Sequence, residues 1–328
     1  IAFFGGDPGN VTIAGQSAGG GSVMSQMACM DNEGLFHRAV VMSAMIRSPY
    51  QVGGIGVPEE LWHAEGNGQH FLSFLGCSTI EQARKLDAAT IRDKYEEYTK
   101  IFPAMFTVLD HKFCVGDPMV LFMEGKHVNV PVMSGNTSDE FPSYIEASSK
   151  EDLKKKAEEI FGKNAETFLR FPEAMREDSD GKYAKVNGIE CTIKCLFSDK
   201  KSAGEKKPYY YYRFDSDIPG WDNAGTFHSV DLWFFFETLA KCWRPFVGQH
   251  YNLSRMMCNY WVNFIKTGDP NGNDADGKPM PYWYPYEKEK PCEMIFMSDG
   301  PVVNCGWVTP FKEFLQEQIK KTLSIGKI

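Results

Sequence analysis

The sequence predicts an α/β protein with a mostly parallel sheet flanked by helices, and two observations lead to this fold class. Short apolar or β-branched runs, typical of buried strands, alternate with longer segments of helical periodicity. A glycine-rich turn at residues 15–19 joins the first of these runs directly to a helix. Strands that are separated by helices form βαβ units, and such units build parallel sheets.

The predicted elements follow one another along the whole chain. Strands are expected at 10–13, 37–43, 130–134 and 209–214. Helices are expected at 58–75, 80–86 and 88–99, from 118, at 150–169 and 182–197, from 229, at 252–266 and at 311–323. Residues 53–56 are predicted to form a turn and 268–281 a surface loop. We see no internal repeat and no long linker, so we expect a single domain over residues 1–328.

The composition and the net charge of the chain exclude some classes of partner. The chain has 328 residues, of which 43% are hydrophobic, so it can bury a large core. A net charge of −8 and a pI near 5.5 argue against a nucleic-acid partner or an anionic membrane surface, since both require clustered Lys and Arg. No apolar run reaches the roughly 18 residues of a membrane span. We therefore expect neither partner.

The nine cysteines show none of the C-x-x-C spacing of zinc or redox sites. Cys191 and Cys195 share one face of a predicted helix, where packing is the simplest interpretation. The odd number leaves at least one thiol free, and the count favours a reducing compartment, so a cytoplasmic location is expected. No metal, nucleotide or flavin motif occurs, so no metal and no cofactor are expected.

The turn at residues 15–19 predicts a nucleophilic serine. A strand that becomes a helix within a few residues leaves little space for side chains, and Gly15 and Gly19 relieve that crowding. This geometry exposes the Ser17 hydroxyl near the positive end of the helix dipole. It also directs the Ala18 backbone N–H towards an oxyanion on an attacked carbonyl. A glycine-rich turn after a strand can also be an ordinary turn without a catalytic role. The presence or absence of an acid and a histidine that could act with Ser17 distinguishes the two interpretations.

Partners for Ser17 are expected where the other strands end, because parallel sheets carry their functional groups at the carboxyl ends of the strands. The third strand ends in a segment that contains Asp139 and Glu140, and the fourth leads through a turn to His228. Taken singly, a loop Asp-Glu pair or a histidine beside a helix start is more often solvated surface. The order serine, acid, histidine is that of the α/β-hydrolases, so we predict this fold.

Several stretches together resemble one family, the type-B carboxylesterases, which include cholinesterases and bacterial para-nitrobenzyl esterases. The stretches are FGGDPGNVTI (4–13), QSAGG (16–20), GNTSDE (135–140), FHSVDL (227–232), YWVNF (260–264) and TGDPN (267–271). The resemblance covers essentially the whole chain and begins just before the nucleophile elbow. It implies an α/β-hydrolase sheet that lacks its N-terminal strands.

The resemblance implies a serine hydrolase that cleaves a small-molecule carboxylic ester through an acyl-enzyme. Ser17 is then the nucleophile, His228 the general base and Glu140 the acid, by alignment with the family's Asp-Glu-Gly element. Ser43 and Asp231 resemble positions that lie next to the family's triad residues without belonging to the triad. A strand-end hydroxyl and a helix-start carboxylate are equally good interpretations of these two residues.

The same resemblance implies that the family's first strands and its His-Gly-Gly-type oxyanion loop precede this chain. The Gly-rich residues 53–56 do not replace that loop. Loss of one oxyanion donor costs roughly 10²- to 10³-fold in rate, so we expect the chain alone to be a weak or inactive part of a parent esterase. The elbow strand would form an exposed sheet edge, through which self-association is expected.

Two other functions stay open at this point. One is a non-catalytic binding or adhesion protein on the same fold, against which the presence of Ser17 and His228 argues. The other is an amidase or thioesterase that uses the same triad. Aromatic residues near the predicted site either wall an apolar pocket or belong to the core. They are Phe141, Tyr144, Trp233, Phe234, Phe235 and Phe236.

Overall fold

The computed structural model describes residues 1–51, 57–105, 107–199 and 206–325. Where the sequence predicts one domain over 1–328, the chain divides into two compact units, 1–55 with 118–328 and 56–117. The turn predicted at 53–56 lies outside the described residues. Each unit is described by itself below.

Strands and helices alternate along the chain. The strands are β1 (Thr12–Gln16), β2 (Arg38–Met42), β3 (Glu59–Glu60), β4 (Val108–Leu109), β5 (Val132–Thr137), β6 (Pro142–Glu146), β7 (Lys182–Asn187), β8 (Tyr209–Asp215), β9 (Cys292–Met297) and β10 (Gly300–Cys305). The α-helices are α1 (Ala18–Ala28), α2 (Leu61–Phe74), α3 (Ile80–Ala83), α4 (Ala88–Tyr98), α5 (Pro118–Glu124), α6 (Lys150–Phe161), α7 (Ala165–Leu169), α8 (Gly188–Ser198), α9 (Asp231–Phe235), α10 (Gly248–Thr267) and α11 (Pro310–Ile325). Within the described ranges, none of these helices has the length and apolarity that a bilayer crossing requires.

The larger unit is built on a six-stranded sheet in the order β1-β2-β5-β8-β9-β10. Every neighbouring pair from β1 to β9 is parallel, and β10 returns antiparallel to β9. The mostly parallel sheet predicted from the alternation of strands and helices is therefore confirmed. At one end of this order, β1 pairs with β2.

Helices cover both faces of this sheet. Along β2, Ala39 and Val41 pack into a core with α1, α5, α6, α8 and α11, whereas Val40 and Met42 pack into a second core with α9 and α10. The run of four tyrosines in β8 alternates in the same way between the two cores. Burial on both faces explains why these strands are continuously apolar or aromatic instead of alternating with polar residues.

The sequence-based assignment is wrong at several places, and the short strands β3, β4 and β6 are among the elements it does not contain. The segment 292–305, for which no strand is predicted, forms the β9–β10 hairpin, so the sheet has six strands instead of four. Residues 182–187, predicted as helix, form β7, which pairs antiparallel with β6. The helix begins only at Gly188, where the Asn187 side chain accepts a hydrogen bond from the Glu190 N–H at 3.0 Å. Cross-strand pairing thus overrides a local helical pattern.

The smaller unit contains α2, α3 and α4 with the short parallel pair β3–β4. Aromatic side chains join its two longer helices. The Tyr98 ring at the end of α4 lies 5.1 Å from the Phe71 ring of α2 and stacks 4.7 Å from Phe102. The Thr79 and Asp87 side chains cap α3 and α4, each accepting a backbone N–H. The three helices predicted in this region are present.

A single residue, Ser17, joins β1 to α1, and the backbone is tightly packed around it. Ser17 has φ 54° and ψ −123°, a sparsely populated combination for a residue with a side chain. A Cβ on Gly15 would lie 2.2 Å from the Gly19 carbonyl oxygen, and one on Gly20 would lie 2.4 Å from the Ala44 Cβ. A Cβ on Gly19 would meet nothing within 4 Å. Space is therefore needed at Gly15, as predicted, and at Gly20 instead of Gly19.

Replacement of Gly15 by alanine is expected to lower the free energy of unfolding by more than about 2 kcal/mol, because the new methyl group would overlap a backbone carbonyl. Gly19→Ala is the matched control. Its methyl group meets nothing, and alanine favours a helix over glycine by up to about 1 kcal/mol. Urea unfolding of both variants measures the difference, and equal losses would contradict this account of the turn.

Candidate active site

Polar residues gather at the edge where the parallel strands end. Ser17 follows β1, Ser43 follows β2, Glu140 lies three residues after β5, and His228 lies in the loop between β8 and α9. The adjacent parallel pairings β1–β2, β2–β5 and β5–β8 bring the carboxyl ends of these strands to the same side of the sheet. The edge of the sheet at which the partners of Ser17 are expected is therefore present.

Glu140 and His228 form a close pair at this edge. The Glu140 Oε2 atom lies 2.6 Å from His228 Nδ1, and its Oε1 atom accepts the Thr137 N–H at 3.1 Å. The Glu140 side chain is fully buried, whereas 20% of the His228 side chain is exposed. A carboxylate at this position accepts the Nδ1 proton, so Nε2 of the neutral ring carries the lone pair. This is the tautomer that a general base requires.

Asp139, the neighbouring carboxylate, has a different partner. Its Oδ2 atom accepts hydrogen bonds from the Thr226 N–H at 2.8 Å and from the Thr226 hydroxyl at 3.0 Å, and its own N–H donates to the Thr226 carbonyl. The next residue back, Gly225, has φ 63°, and a Cβ there would lie 2.4 Å from the same Oδ2. Asp139 thus fastens the loop that carries His228 to the end of β5, and Glu140 alone of the two carboxylates contacts the imidazole.

The second ring nitrogen of His228 has Gln16 as its partner. The side-chain Nε2 of Gln16 lies 3.1 Å from His228 Nε2. Within the described ranges, no hydrogen bond joins the Ser17 hydroxyl to His228. The structure therefore brings His228 and Glu140, two of the three predicted triad residues, into direct contact. The third, Ser17, directly follows Gln16, whose side chain contacts the other ring nitrogen of His228.

The predicted oxyanion donor, Ala18, is the first residue of α1. The first N–H groups of an α-helix have no carbonyl partner within the helix, and they lie at the positive end of its dipole. The Gly21 N–H is the first in this helix to bond back, to the Ser17 carbonyl at 3.0 Å. The Ala18 N–H thus bonds to no carbonyl of its own helix, and its role as an oxyanion donor stays a prediction.

Asp231 and Ser43 lie buried beside the triad residues. Asp231 Oδ2 accepts a hydrogen bond from the Tyr212 hydroxyl at 2.8 Å. Burial, with a smaller effect of the nearby Glu140 charge, raises the pKa of Asp231 to about 6, against the opposing effects of Tyr212 and His228. Among the described residues, neither Asp231 Oδ1 nor the Ser43 hydroxyl has a hydrogen-bond partner. Their supporting roles stay predictions.

The aromatic candidates separate into two groups. Phe141, which stands where the family has glycine, is 58% exposed, and its ring centroid lies 4.8 Å from that of His228. Phe234 and Phe235 are buried in the core beneath α9, which is the other interpretation left open for them. Phe236 is 57% exposed. Phe141 is therefore the aromatic side chain best placed to contact a substrate at His228.

Sequence reasoning missed three residues of this site. Gln16 lies inside the serine motif, so the sequence predicts that it lies next to the site, but it does not predict the contact of Gln16 with His228. Thr226 and Tyr212 gave no signal, because their partners lie 87 and 19 residues away along the chain. In the part of the chain that the structure describes, no group of three or more His, Cys, Asp or Glu side chains could hold a metal ion.

Comparisons with known proteins point in one direction. The sequence model of the family described as "Carboxylesterase family" matches residues 1–302. Among curated relatives, the chain is 27% identical to bile salt-activated lipase of Mus musculus, over 88% of this chain and 53% of that protein. It is 26% identical to para-nitrobenzyl esterase of Bacillus subtilis, over 93% of this chain and 62% of that protein. The chain thus spans about half to three fifths of the length of these relatives.

Solved structures confirm the predicted α/β-hydrolase fold. One described as a PNB esterase is 23% identical, with a TM-score of 0.68 over 95% of this chain and 64% of that chain. Another is described as an esterase from Clostridium hathewayi that can hydrolyze aliphatic aromatic polyesters. It is 24% identical, with a TM-score of 0.62 over 97% of this chain and 63% of that chain.

The Asp231 carboxyl is expected to make stability fall as pH rises. Its folded pKa of about 6 exceeds its ordinary value of 3.8. The unfolded chain therefore releases this proton first, and the folded state loses roughly 3 kcal/mol between about pH 4 and pH 6. Asp231→Asn keeps an acceptor for Tyr212 and cannot ionise. This variant should exceed the wild type in free energy of unfolding by that order at about pH 8 and match it near pH 4.

Chemical denaturation at the two pH values measures this difference. Asp276→Asn, at an exposed position, is the matched control and should leave the pH dependence unchanged. Parallel pH profiles for the wild type and the Asp231 variant would contradict the assigned cause.

Proposed function

The chain belongs to the carboxylesterase family, and on that premise we propose that it carries the catalytic triad of a serine hydrolase that cleaves carboxylic esters. Ser17 is the nucleophile, His228 the general base and Glu140 the acid. The observation that carries the proposal is the contact of 2.6 Å between His228 Nδ1 and the buried Glu140 carboxylate, at the edge where Ser17 leaves its strand.

The chemistry follows from these positions. The Ser17 hydroxyl attacks the ester carbonyl while His228 Nε2 takes its proton, and Glu140 stabilises the imidazolium that forms. The Ala18 N–H donates to the oxyanion of the tetrahedral intermediate. His228 then gives the proton to the leaving alcohol, which produces an acyl-enzyme. A water molecule, deprotonated by the same Nε2, releases the acid and restores Ser17.

We propose a small-molecule ester as the substrate, with the exposed Phe141 ring beside His228 as one apolar contact. The weak activity expected of residues 1–328 alone and the self-association through β1 stay predictions. The position of β1 at one end of the sheet order is consistent with the second. The absence of a nucleic-acid partner is likewise a proposal, supported by the net charge of −8.

The other functions are distinguished by chemistry. An amidase or thioesterase would use the same residues, so activity on matched ester, thioester and amide substrates separates them from an esterase. A binding protein does not need the close His228–Glu140 pair, and that contact is the observation that favours an enzyme.

The cytoplasmic location stays a proposal, and one structural feature argues against it. Cys292 and Cys305, directly opposite each other in the β9–β10 hairpin, form a disulfide. Structural disulfides persist mainly in oxidising compartments. The disulfide therefore favours a secretory or extracellular location over the reducing one that the cysteine count suggests.

Covalent labelling with an organophosphate, located by mass spectrometry, tests the proposed triad. We expect labelling at Ser17, none in Ser17→Ala, and a labelling rate lowered at least roughly 10²-fold in His228→Asn and in Glu140→Gln, since an unactivated serine is a poor nucleophile. Ser25→Ala, on the same helix, is the control and should be labelled like the wild type. Labelling that survives loss of Ser17 or of His228 would contradict the proposal.

A further inference from the structure

We propose that Gln16 is a positioning residue that occupies His228 Nε2 in the resting site and has to be displaced by the Ser17 hydroxyl before the reaction. The inference rests on the proposed function of His228 as general base. It adds the identity of the group that competes with the nucleophile for that base.

The hydrogen bonds of the imidazole carry this inference. The Nδ1 side of the ring is committed to Glu140 at 2.6 Å, so the neutral ring has its lone pair on Nε2. The Gln16 amide nitrogen lies 3.1 Å from that atom and donates to it. Both ring nitrogens are thus satisfied, and the pair of contacts holds the ring in the tautomer that can accept a proton.

Competition follows from the number of lone pairs. Nε2 of a neutral imidazole has one lone pair, in the plane of the ring, and it accepts one strong hydrogen bond. The Ser17 hydroxyl must point at the same lone pair to be deprotonated. Each reaction cycle therefore requires the Gln16 amide to leave Nε2 and the Ser17 hydroxyl to take its place.

The backbone explains how two consecutive residues can serve one ring. Consecutive side chains of an extended strand point to opposite faces. Gln16 is the last residue of β1, and Ser17, with φ 54°, has left the extended conformation. The strict alternation of β1 therefore ends between these two residues.

The carboxamide of Gln16 has two different ends. Its NH₂ group donates to the neutral ring, and its oxygen, after a flip of the amide, can accept from the imidazolium. A glutamate at this position could serve only the imidazolium, and a leucine of similar size could serve neither form. Gln16→Glu and Gln16→Leu therefore separate a hydrogen-bonding role from a merely space-filling one.

The first measurement is the ring titration of His228 by NMR in the chain of residues 1–328, which does not require activity. In Gln16→Glu, we expect the midpoint of this titration to rise by about one pH unit or more, because a neighbouring carboxylate favours the imidazolium. Gln16→Leu should raise the midpoint less, since it only removes a donor to the neutral ring. The control is Gln26→Glu on α1, where the new carboxylate keeps the acceptor for the Asn32 side chain and should leave His228 unchanged.

The second measurement is the rate of organophosphate labelling of Ser17. Removal of the competing donor in Gln16→Leu should raise this rate about two- to tenfold, the range that corresponds to one net hydrogen bond. Gln16→Glu should lower it at neutral pH, because a protonated ring cannot accept the serine proton.

The outcomes separate this inference from the proposed function. Equal titration midpoints in the wild type and both Gln16 variants would overturn the inference, while labelling of Ser17 in the same samples would still support the triad. A shifted midpoint together with slower labelling of Gln16→Leu would show that Gln16 aids the base instead of competing for it, which also overturns the inference. Labelling of Ser17 that is unchanged in His228→Asn would overturn the proposed function and, with it, the competition.

Discussion

The close approach of Gly15 to the Gly19 carbonyl is the constraint on which the rest of the site depends. Because no side chain fits between these two backbones, β1 passes into α1 within one residue, and Ser17 takes a conformation that side chains rarely adopt. The same turn places the first N–H groups of α1 beside the serine. The proposed nucleophile, the proposed oxyanion donor and the Gln16 side chain that contacts His228 thus come from one short stretch of chain.

Three residues at this edge of the sheet have an unusual backbone conformation. Ser17, Ser43 and Ser229 all have positive φ, and each lies beside a residue of the proposed triad or at the end of a strand in the sheet. Such conformations persist only where the surrounding structure holds them. Here the support comes from β2 and β8, which are buried on both faces, and from helices packed against each side of the sheet.

The two adjacent acidic residues after β5 carry the same functional group but bind different partners. Asp139 accepts two hydrogen bonds from Thr226 and so fixes the loop, whereas Glu140 turns inward to His228. Asp231, buried a few residues after the histidine, adds a third carboxyl whose charge is costly there. The site therefore contains three carboxyl groups with different surroundings. Glu140 contacts the imidazole, Asp139 holds the loop that carries His228, and burial disfavours the ionisation of Asp231.

The sequence by itself determined the fold class and the elbow, and it predicted the residues that we propose for the site. These features depend on local patterns, namely apolar runs, helical periodicity and a glycine-rich turn, which neighbouring residues express directly. It did not predict β3, β4, β6, β7, β9 and β10, because strand pairing depends on partners elsewhere in the chain.

Only the tertiary structure decided which carboxylate contacts His228 and that Gln16 occupies its other nitrogen. Both outcomes depend on side chains separated by 88 and 212 residues, and no local pattern contains such a distance.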